Sequence, residues 1–442
     1  MEMRFSRYGA ASTHPAPVNR MMADFATGFR DGVDINLGVG YVNEATIPEA
    51  QILDAMRTVA ARRTRYRQAF NYGGPQGSPN LIASIRRFLL RRYDGRLDEA
   101  TLARREIIIG PSGATSLLEA IADVLAPGLV VTGDPMYYIY TNTLERKGFE
   151  ILAVPEDAEG VNPDALERQL QGMGDAVNRV SFFYFVTVNN PTCSILSNAR
   201  RHALAALAAR WSREQNRLIP VFFDQAYELL IHDPGVKAPE SALPDDDSGV
   251  VYEIGTLSKI LAPALRIGYM IGAPGPFLRA MVQKTSDIGF SAPLIMQEAA
   301  SLLLDEHIAG QIARVNAGYR DKAHAVGRAI QECLGPHLES ISGGQAGFYY
   351  YLTLRDVQTH EASPFFRYLT RTTGDPAIDG PDDNPDPRVI YIPGEHCVHP
   401  RGALVGAGRR QFRLSYGFEE TDAIARALGI MREAAAYAAA CR

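Results

Sequence analysis

Short apolar runs recur along the middle of this chain, and segments with helical periodicity separate them. They include EIII at 106–109, SFFYFVTV at 181–188, LIPVFF at 218–223 and VYEIG at 251–255. Apolar strands that alternate with helices are typical of a mostly parallel sheet with helices on both faces. We therefore predict an α/β fold of this kind.

Polar residues follow three of these predicted strands. Asn190 comes just after the second run, Asp224 ends the third, and Lys259 lies a few residues beyond the fourth. The carboxyl ends of parallel strands meet along one edge of a sheet, and open α/β sheets bind ligands at that edge. The three side chains are therefore predicted to share one binding site.

The chain has 442 residues, which is more than one compact core usually holds. We predict an N-terminal arm at 1–50 that forms part of a small lobe, a large domain at 51–315, and a small C-terminal α+β domain at 316–442. The net charge of -5 brings no basic excess of the kind that nucleic-acid binding requires. We expect no nucleic-acid partner.

The four cysteines show no paired spacing, which favours a reducing compartment. The first ten residues, MEMRFSRYGA, contain no continuous apolar segment, and no later run approaches the ~18 to 20 apolar residues of a membrane span. We expect a cytoplasmic protein without membrane attachment.

Lys259 is the only cation between Thr256 and Leu265, in a segment that is otherwise small or apolar. Burial lowers the pKa of an ammonium group and makes the amine a usable nucleophile toward a carbonyl. The hydroxyls of Thr256 and Ser258, together with Arg266, could bind a phosphate. A solvated lysine in a surface loop fits the same residues, and the tetrad alone does not decide between the two.

The segment PSGAT at 111–115 joins the predicted strand EIII to a helix. The free amides of a helix N-terminus form an anion site, so a phosphate group is the natural ligand there. The alternative is a simple turn in which Ser112 caps the helix. Tyr137 follows the strand VVTGD and could stack on a flat ring or belong to the core.

Four motifs together resemble the class I and II aminotransferases, the pyridoxal-phosphate enzymes of fold type I that include aspartate aminotransferase. They are NNPTC at 189–193, FFDQAYE at 222–228, TLSKILAPALRIGY at 256–269 and FRLSYG at 412–417. The segments FSRYGA, NYGGPQG and IPGEHCVHP look most like the valine–pyruvate aminotransferase branch. The resemblance implies a large cofactor domain and a small lobe built from the C-terminal part and the N-terminal segment.

The resemblance implies pyridoxal 5'-phosphate as the cofactor and Lys259 as the lysine that forms a Schiff base with it and moves the substrate proton. Asp224 would face the pyridine nitrogen, Asn190 and Tyr227 would hydrogen-bond the ring oxygen, and Tyr137 would stack on the ring. We take Lys259, Asp224 and Tyr137 as the catalytic residues.

The resemblance also implies a phosphate site, which Tyr72 of a neighbouring subunit would complete, so that a homodimer with shared active sites is expected. Arg413 would bind the substrate carboxylate, with Asn190 beside it and the backbone at Gly38 closing over it. The phosphate would be held within this chain by Ser112, Gly113, Ala114, Thr256, Ser258 and Arg266.

The chain departs from the family pattern at Cys193, where the family has glycine, and at Thr256, where serine is commoner. His396, Cys397 and His399 suggest a metal, but without a further ligand of suitable spacing we predict none and place His396 near the site entrance. The acidic loop at 372–388 is expected to be a solvated insertion.

The predicted function is transfer of an amino group between an α-amino acid and a 2-oxo acid. The same scaffold could instead support another carbanion reaction, such as β- or γ-elimination, replacement, carbon–carbon bond formation or oxidation. A third possibility is a ligand-sensing domain joined to a DNA reader. We do not expect it, because the N-terminal residues show no helix-turn-helix segment.

Overall fold

The computed structural model describes residues 3–381 and 386–441. Within them the strands, numbered along the chain, are β1 (Ile35–Asn36), β2 (Glu106–Ile109), β3 (Leu129–Asp134), β4 (Glu150–Asp157), β5 (Gly160–Val161), β6 (Val180–Val186), β7 (Val221–Asp224), β8 (Val251–Thr256), β9 (Gly268–Gly272), β10 (Leu338–Gly343), β11 (Tyr349–Leu354), β12 (Val389–Ile390), β13 (Ile392–Pro393) and β14 (Gln411–Ser415).

The α-helices of the same ranges are α1 (Arg7–Ala11), α2 (Pro17–Ala26), α3 (Glu49–Ala61), α4 (Pro79–Arg92), α5 (Glu99–Ala103), α6 (Gly113–Val124), α7 (Tyr138–Lys147), α8 (Pro163–Gln171), α9 (Asn198–Glu214), α10 (Pro276–Gly289), α11 (Leu294–Glu306), α12 (Ile308–Leu334), α13 (Pro364–Thr370), α14 (Pro376–Asp379), α15 (Val405–Gly408) and α16 (Thr421–Ala440).

The large sheet has eight strands in the order β2-β9-β8-β7-β6-β3-β4-β5. Strands β8, β7, β6, β3 and β4 run parallel, whereas β9 is antiparallel to both of its neighbours and β5 is antiparallel to β4. The prediction of a mostly parallel sheet with flanking helices is confirmed. The predicted strands at 106–109, 181–188, 218–223 and 251–255 correspond to β2, β6, β7 and β8.

Helices cover both faces of this sheet because its strand residues alternate between two apolar clusters. Phe222 belongs to the same cluster as Leu278 of α10 and Leu117 of α6 on one face, and Phe223 belongs to the cluster that contains Leu204 of α9 on the other. Both phenylalanines are fully buried, and burial of such a side chain stabilises the fold by roughly 2 to 3 kcal/mol. The rigid sheet edge that results carries the polar residues discussed below.

The small lobe is a four-stranded antiparallel sheet in the order β10-β11-β14-β13. Phe365 of α13 packs against Phe412 of β14, and α13 in turn packs against α16. The N-terminal segment joins this lobe, because β1 pairs in parallel with β12. Asp34, just before β1, accepts hydrogen bonds from both Arg30 and Arg388.

The predicted boundary between residues 315 and 316 stays a prediction, and α12 passes through it as one continuous helix.

Part of the predicted acidic loop at 372–388 is ordered by its own carboxylates. Asp375 caps α14 by accepting from the Ala377 amide, and Asp379 accepts from the amides of Thr373 and Gly374. Residues 382–385 of this loop lie outside the described residues.

In the described ranges, every helix is too short or too polar to cross a membrane.

Candidate active site

A cleft of about 140 Å³ lies at the carboxyl ends of β6, β7 and β8. Open α/β sheets bind their ligands at this edge. The structure brings many of the predicted site residues to its wall, namely Ala114, Tyr137, Asn190, Asp224, Tyr227, Thr256, Ser258, Lys259 and Arg266.

Lys259 is held in this cleft three residues beyond the end of β8. Its Nζ donates to the carbonyl oxygen of Gly40 at 3.0 Å and lies 5.5 Å from the ring of Tyr227 and 5.7 Å from that of Phe348. Burial, reinforced by the positive charges of nearby arginines, lowers the pKa of Lys259 to about 8. The amine is therefore far more available as a nucleophile at neutral pH than an exposed lysine is.

Asp224 is the last residue of β7 and is only 4% exposed. Its Oδ2 accepts from the Tyr184 hydroxyl at 2.7 Å, and its Oδ1 accepts from the Ala226 amide at 2.9 Å. Burial raises the pKa of Asp224, while these two hydrogen bonds act to lower it. A buried carboxylate whose hydrogen-bond donors are neutral is well suited to face a cationic ligand group.

One end of the cleft is built where the start of α6 meets the segment after β8. Arg266 donates from Nη2 to the carbonyl oxygen of Ser112 at 2.9 Å and from Nε to its hydroxyl at 3.3 Å. The Gly113 amide donates back to the carbonyl oxygen of Arg266 at 2.8 Å. The amide of Gly113 is thus already engaged, whereas Ala114 and Thr115 line the cleft. The Ser112 side chain makes no capping hydrogen bond to α6.

Two glycines allow this close approach. Gly113 has a φ of 68°, and a Cβ atom there would lie 3.0 Å from Nη2 of Arg266. A Cβ atom at Gly268 would lie 2.2 Å from the backbone nitrogen of Ala114. The helix start can therefore rest directly on the strand β9 only because both positions lack a side chain.

Two hydroxyls complete this end of the cleft. Thr256 Oγ1 lies 3.0 Å from Oγ of Ser258 and donates to the carbonyl oxygen of Ile267 at 2.8 Å. Because the single Thr256 proton is used in this way, the donors left for a phosphate are the Ser258 hydroxyl, Arg266 and the first turn of α6.

Arg413, in the middle of β14, connects three parts of the chain next to Asn190, a residue of the cleft wall. Its Nη1 donates to Oδ1 of Asn190 at 2.8 Å, and its Nη2 donates to the carbonyl oxygen of Gly38. The guanidinium carbon lies 4.2 Å from the ring centre of Tyr349. Arg413 is 2% exposed, and within the described ranges its buried Nε has no hydrogen-bond partner. A buried, unpartnered donor of this kind suits an acceptor that arrives with a ligand.

The Tyr227 hydroxyl lies 2.7 Å from the hydroxyl of Tyr349, on strand β11. Burial raises the pKa of both tyrosines above the usual range, so both hydroxyls carry their proton at neutral pH. This pair connects the large lobe to the small lobe next to Lys259.

Tyr72 lies away from the cleft of its own chain. Its side chain is 74% exposed, and its ring lies 5.3 Å from that of Phe290, which is also exposed. Phe70, two residues earlier, is 69% exposed. The segment around Tyr72 therefore presents large aromatic side chains to the surface.

Cys193 is buried and has a φ of 50°, a conformation that favours glycine. Its sulfur occupies space beside Gly347, where a Cβ atom would lie only 2.6 Å away. Burial raises the pKa of the Cys193 thiol to about 12, so the thiol is not activated.

His396, Cys397 and His399 do not converge on one point. Nε2 of His396 hydrogen-bonds Oε1 of Glu361 at 2.5 Å, and these two residues, with Glu395, bring possible ligand atoms within 4.8 Å of one another. The Cys397 thiol donates to a backbone carbonyl, and the His399 amide donates to Asp134. Glu361 also pairs with Arg20, so we interpret the group as an ion-pair cluster.

Three residues of the site were missed by the sequence reasoning. Tyr184, which holds Asp224, is the single tyrosine in the strand SFFYFVTV, and a lone hydroxyl in a buried strand is a usable signal. Thr115 follows the small residues of the PSGAT turn and offers a hydroxyl in the first turn of α6. Tyr349 lies among three consecutive tyrosines, and nothing in that run distinguishes one from another.

The charges around the cleft match the groups of pyridoxal phosphate. The cofactor carries a phosphate, a ring nitrogen and an aldehyde, and the cleft offers donors at the start of α6 with Arg266, a buried carboxylate at Asp224 and an amine of lowered pKa at Lys259. Arg413 adds a further cation, whose guanidinium can donate hydrogen bonds to the carboxylate of an amino acid. The residues present therefore fit this cofactor.

Comparison with known proteins gives one family. The family model described as "Aminotransferase class I and II" matches residues 33–374. An aromatic-amino-acid aminotransferase of Thermococcus litoralis is 27% identical over 305 residues, and the match covers 67% of this chain and 68% of that protein.

Two solved structures share the fold. A multiple substrate aminotransferase from Thermococcus profundus superimposes with a TM-score of 0.83 at 21% identity, covering 99% of this chain and 98% of that one. The kynurenine aminotransferase of Pyrococcus horikoshii, solved in complex with PMP, gives a TM-score of 0.81 at 22% identity, covering 98% of this chain and 96% of that one.

Proposed function

The chain belongs to the class I and II aminotransferases, and on that premise we propose how its own residues bind the cofactor and the amino acid. It is a pyridoxal-phosphate-dependent enzyme that moves an amino group between an α-amino acid and a 2-oxo acid. The bound cofactor supplies an electron sink for the bonds of the substrate Cα. The alternative carbanion reactions on the same scaffold are not favoured.

Lys259 is proposed to hold the cofactor aldehyde covalently and, once an amino acid has displaced it, to move the proton at the substrate Cα. With a pKa of about 8, roughly a tenth of the amine is unprotonated at pH 7. The same group can therefore act as a nucleophile and as a general base close to neutral pH.

Asp224 is proposed to face the ring nitrogen of the cofactor and keep it protonated. Its hydrogen bonds to Tyr184 and to the Ala226 amide fix the carboxylate at the end of β7. Because the carboxylate is buried, its interaction with a cationic ring would be little screened by water.

The phosphate is proposed to bind at the start of α6. Ala114 offers its backbone amide, and Ser258 and Arg266 offer side-chain donors. The Thr256 hydroxyl donates to the carbonyl oxygen of Ile267, so Thr256 contributes through its contact with Ser258. Ser112 and Gly113 contribute mainly by positioning Arg266, because their hydrogen bonds are made with that residue.

The remaining residues of the cleft are proposed to orient the ring and the substrate. Tyr137 would stack on the ring, and Asn190 and Tyr227 would hydrogen-bond the ring oxygen. Oδ1 of Asn190 is used by Arg413, which leaves Nδ2 as the donor to the ring. Arg413 would bind the substrate carboxylate with its free Nε side, beneath the backbone at Gly38.

A second copy of this chain is proposed to cover the exposed aromatic segment and to receive Tyr72 at its phosphate site. The support is that Tyr72, Phe70 and Phe290 are large, apolar and mostly exposed, which is typical of a surface that another protein covers. Mixing Lys259→Ala chains with Tyr72→Ala chains tests this proposal. Random re-pairing in a symmetric dimer should restore about a quarter of the wild-type activity, whereas no recovery would exclude shared sites.

The observation that carries the proposed function is that Lys259 and Asp224 line one cleft together with Arg266 and the first turn of α6. The test is a screen of amino donors, with pyruvate or 2-oxoglutarate as acceptor, while the visible absorbance of the protein is followed. Lys259→Ala should abolish both turnover and the mass adduct after borohydride treatment. Lys322→Ala is the matched control, because Lys322 is also half-buried and donates to a backbone carbonyl.

A further inference from the structure

Tyr349 has a hydroxyl that the roles above do not use. The side chain is fully buried on β11, and its hydroxyl lies 2.7 Å from that of Tyr227. The same hydroxyl is so close to the N-terminal segment that a Cβ atom on Gly40 would lie 2.7 Å from it. The Tyr349 hydroxyl therefore fills the space between Tyr227 and Gly40, whose carbonyl oxygen accepts the hydrogen bond from Lys259.

The direction of the hydrogen bond between the two tyrosines follows from counting protons. Each hydroxyl has one proton to donate and can accept in return. If the Tyr227 hydroxyl donates a hydrogen bond to the ring oxygen of the cofactor, it has no second proton with which to donate to Tyr349. The bond between them can then form only with Tyr349 as the donor.

We propose that Tyr349 is a positioning residue that donates its hydroxyl proton to Tyr227 and thereby aims the Tyr227 hydroxyl at the ring oxygen of the cofactor. This inference rests on the proposed function, in which Tyr227 hydrogen-bonds that oxygen. Donors in a chain polarise one another, so the outer hydroxyl strengthens the bond made by the inner one. A stronger hydrogen bond from Tyr227 stabilises the anionic form of the ring oxygen. The pKa of the proton next to that oxygen is then lower.

The ring of Tyr349 makes a separate contact with Arg413, which the Tyr349→Phe substitution preserves. It lies against the guanidinium of Arg413, with the guanidinium carbon 4.2 Å from the ring centre. Tyr349→Phe removes the hydroxyl and keeps this contact. A change in apparent KM for the amino acid would therefore report on Arg413, and a change in the spectrum would report on Tyr227.

The experiment measures the pH midpoint of the visible absorbance of the cofactor-loaded enzyme. Tyr349→Phe should raise the midpoint by roughly 0.2 to 0.5 of a pH unit, as expected from the modest strengthening of one hydrogen bond by another. Tyr227→Phe should raise it more. Tyr350→Phe is the matched control, because the Tyr350 hydroxyl donates to the carbonyl oxygen of Ala323, away from the cleft, at 2.8 Å.

The double variant shows whether the effect passes through Tyr227. Adding Tyr349→Phe to Tyr227→Phe should leave the midpoint of the latter unchanged, because the outer hydroxyl then has no partner to act on. An additive shift, or a shift in Tyr349→Phe no larger than in Tyr350→Phe, would overturn the inference.

A second variant approaches the same hydroxyl from its other side. Gly40→Ala adds a methyl group that displaces the Tyr349 hydroxyl, so it should shift the midpoint in the same direction. An unshifted midpoint in Gly40→Ala would also count against the inference. Absence of any visible band in the wild-type enzyme would instead remove the proposed function on which the inference rests.

Discussion

Replacing the buried Lys259 should make the cofactor-free protein more stable. Lowering the pKa of this lysine from 10.5 to about 8 corresponds to roughly 3 kcal/mol of unfavourable free energy in the folded state when the amine is charged. The hydrogen bond from Lys259 to Gly40 offsets about 1 kcal/mol of this unfavourable free energy. Lys259→Met should therefore raise the free energy of unfolding at pH 7 by about 2 kcal/mol.

The sign of the pH dependence follows from the two protonation states. Below pH 8 the lysine is charged both in the folded and in the unfolded protein, so the full burial cost is present. Between pH 8 and 10.5 the folded protein loses this proton while the unfolded chain keeps it, and the wild type gains stability. The difference between Lys259→Met and wild type should therefore shrink to near zero by about pH 9.5.

Urea unfolding of both cofactor-free proteins at pH 7 and pH 9.5 measures this difference. Lys284→Met serves as the control, because Lys284 pairs with Asp123 at 2.7 Å and its pKa is raised, mainly by that hydrogen bond. Removing Lys284 should give no gain in stability. A Lys259→Met protein that is less stable than wild type at pH 7, or a difference that does not change with pH, would refute the reasoning.

Other predictions concern the carboxylate, the substrate arginine and a buried ion pair. Asp224→Ala should lower kcat by several orders of magnitude in steady-state assays, because the ring nitrogen loses its partner, and a near-normal rate would contradict that role. Arg413→Ala should raise the apparent KM of every α-amino acid tested, and an unaltered KM would mean that another residue binds the carboxylate. Burial alone would raise the pKa of Glu228, but Arg201 and Arg92 lower it to about 2, so stability should fall as pH decreases from 4.5 toward 2. Glu228→Gln should cost about 3 kcal/mol in urea unfolding because it leaves Arg201 buried without its charge partner.

The sequence patterns predicted the parallel strands β3, β6, β7 and β8, because these strands are almost wholly buried and form continuous apolar runs. The parallel strand β4 was not predicted, because it is only partly buried and carries charged residues at both ends. Strand β9 was missed, although it lies in the apolar stretch after Arg266. Only residues 257–267 separate it from β8, and a parallel connection needs a crossover of a dozen or more residues, usually a helix. The antiparallel direction could therefore have been predicted from the length of that connection.

The grouping at the cleft was predicted for residues that end strands, since topology alone brings Asn190, Asp224 and Lys259 to one edge. The place of Tyr349 could not be predicted in this way. Strand β11 is buried along its whole length, so the alternation of its side chains does not distinguish a residue facing the cleft from one facing the core. The hydrogen bond from Arg413 to Asn190 spans 223 positions in sequence, and no local pattern encodes it.

The pairing of β1 with β12 sets an order of events during protein synthesis. Ile35 lies opposite Val389, so the strand must wait for some 350 further residues to leave the ribosome before its partner exists. At typical elongation rates this delay is roughly 20 to 70 s. The large sheet, whose strands end at Gly272, can form during that time, and the arm that carries Gly38 and Gly40 is then among the last parts to dock.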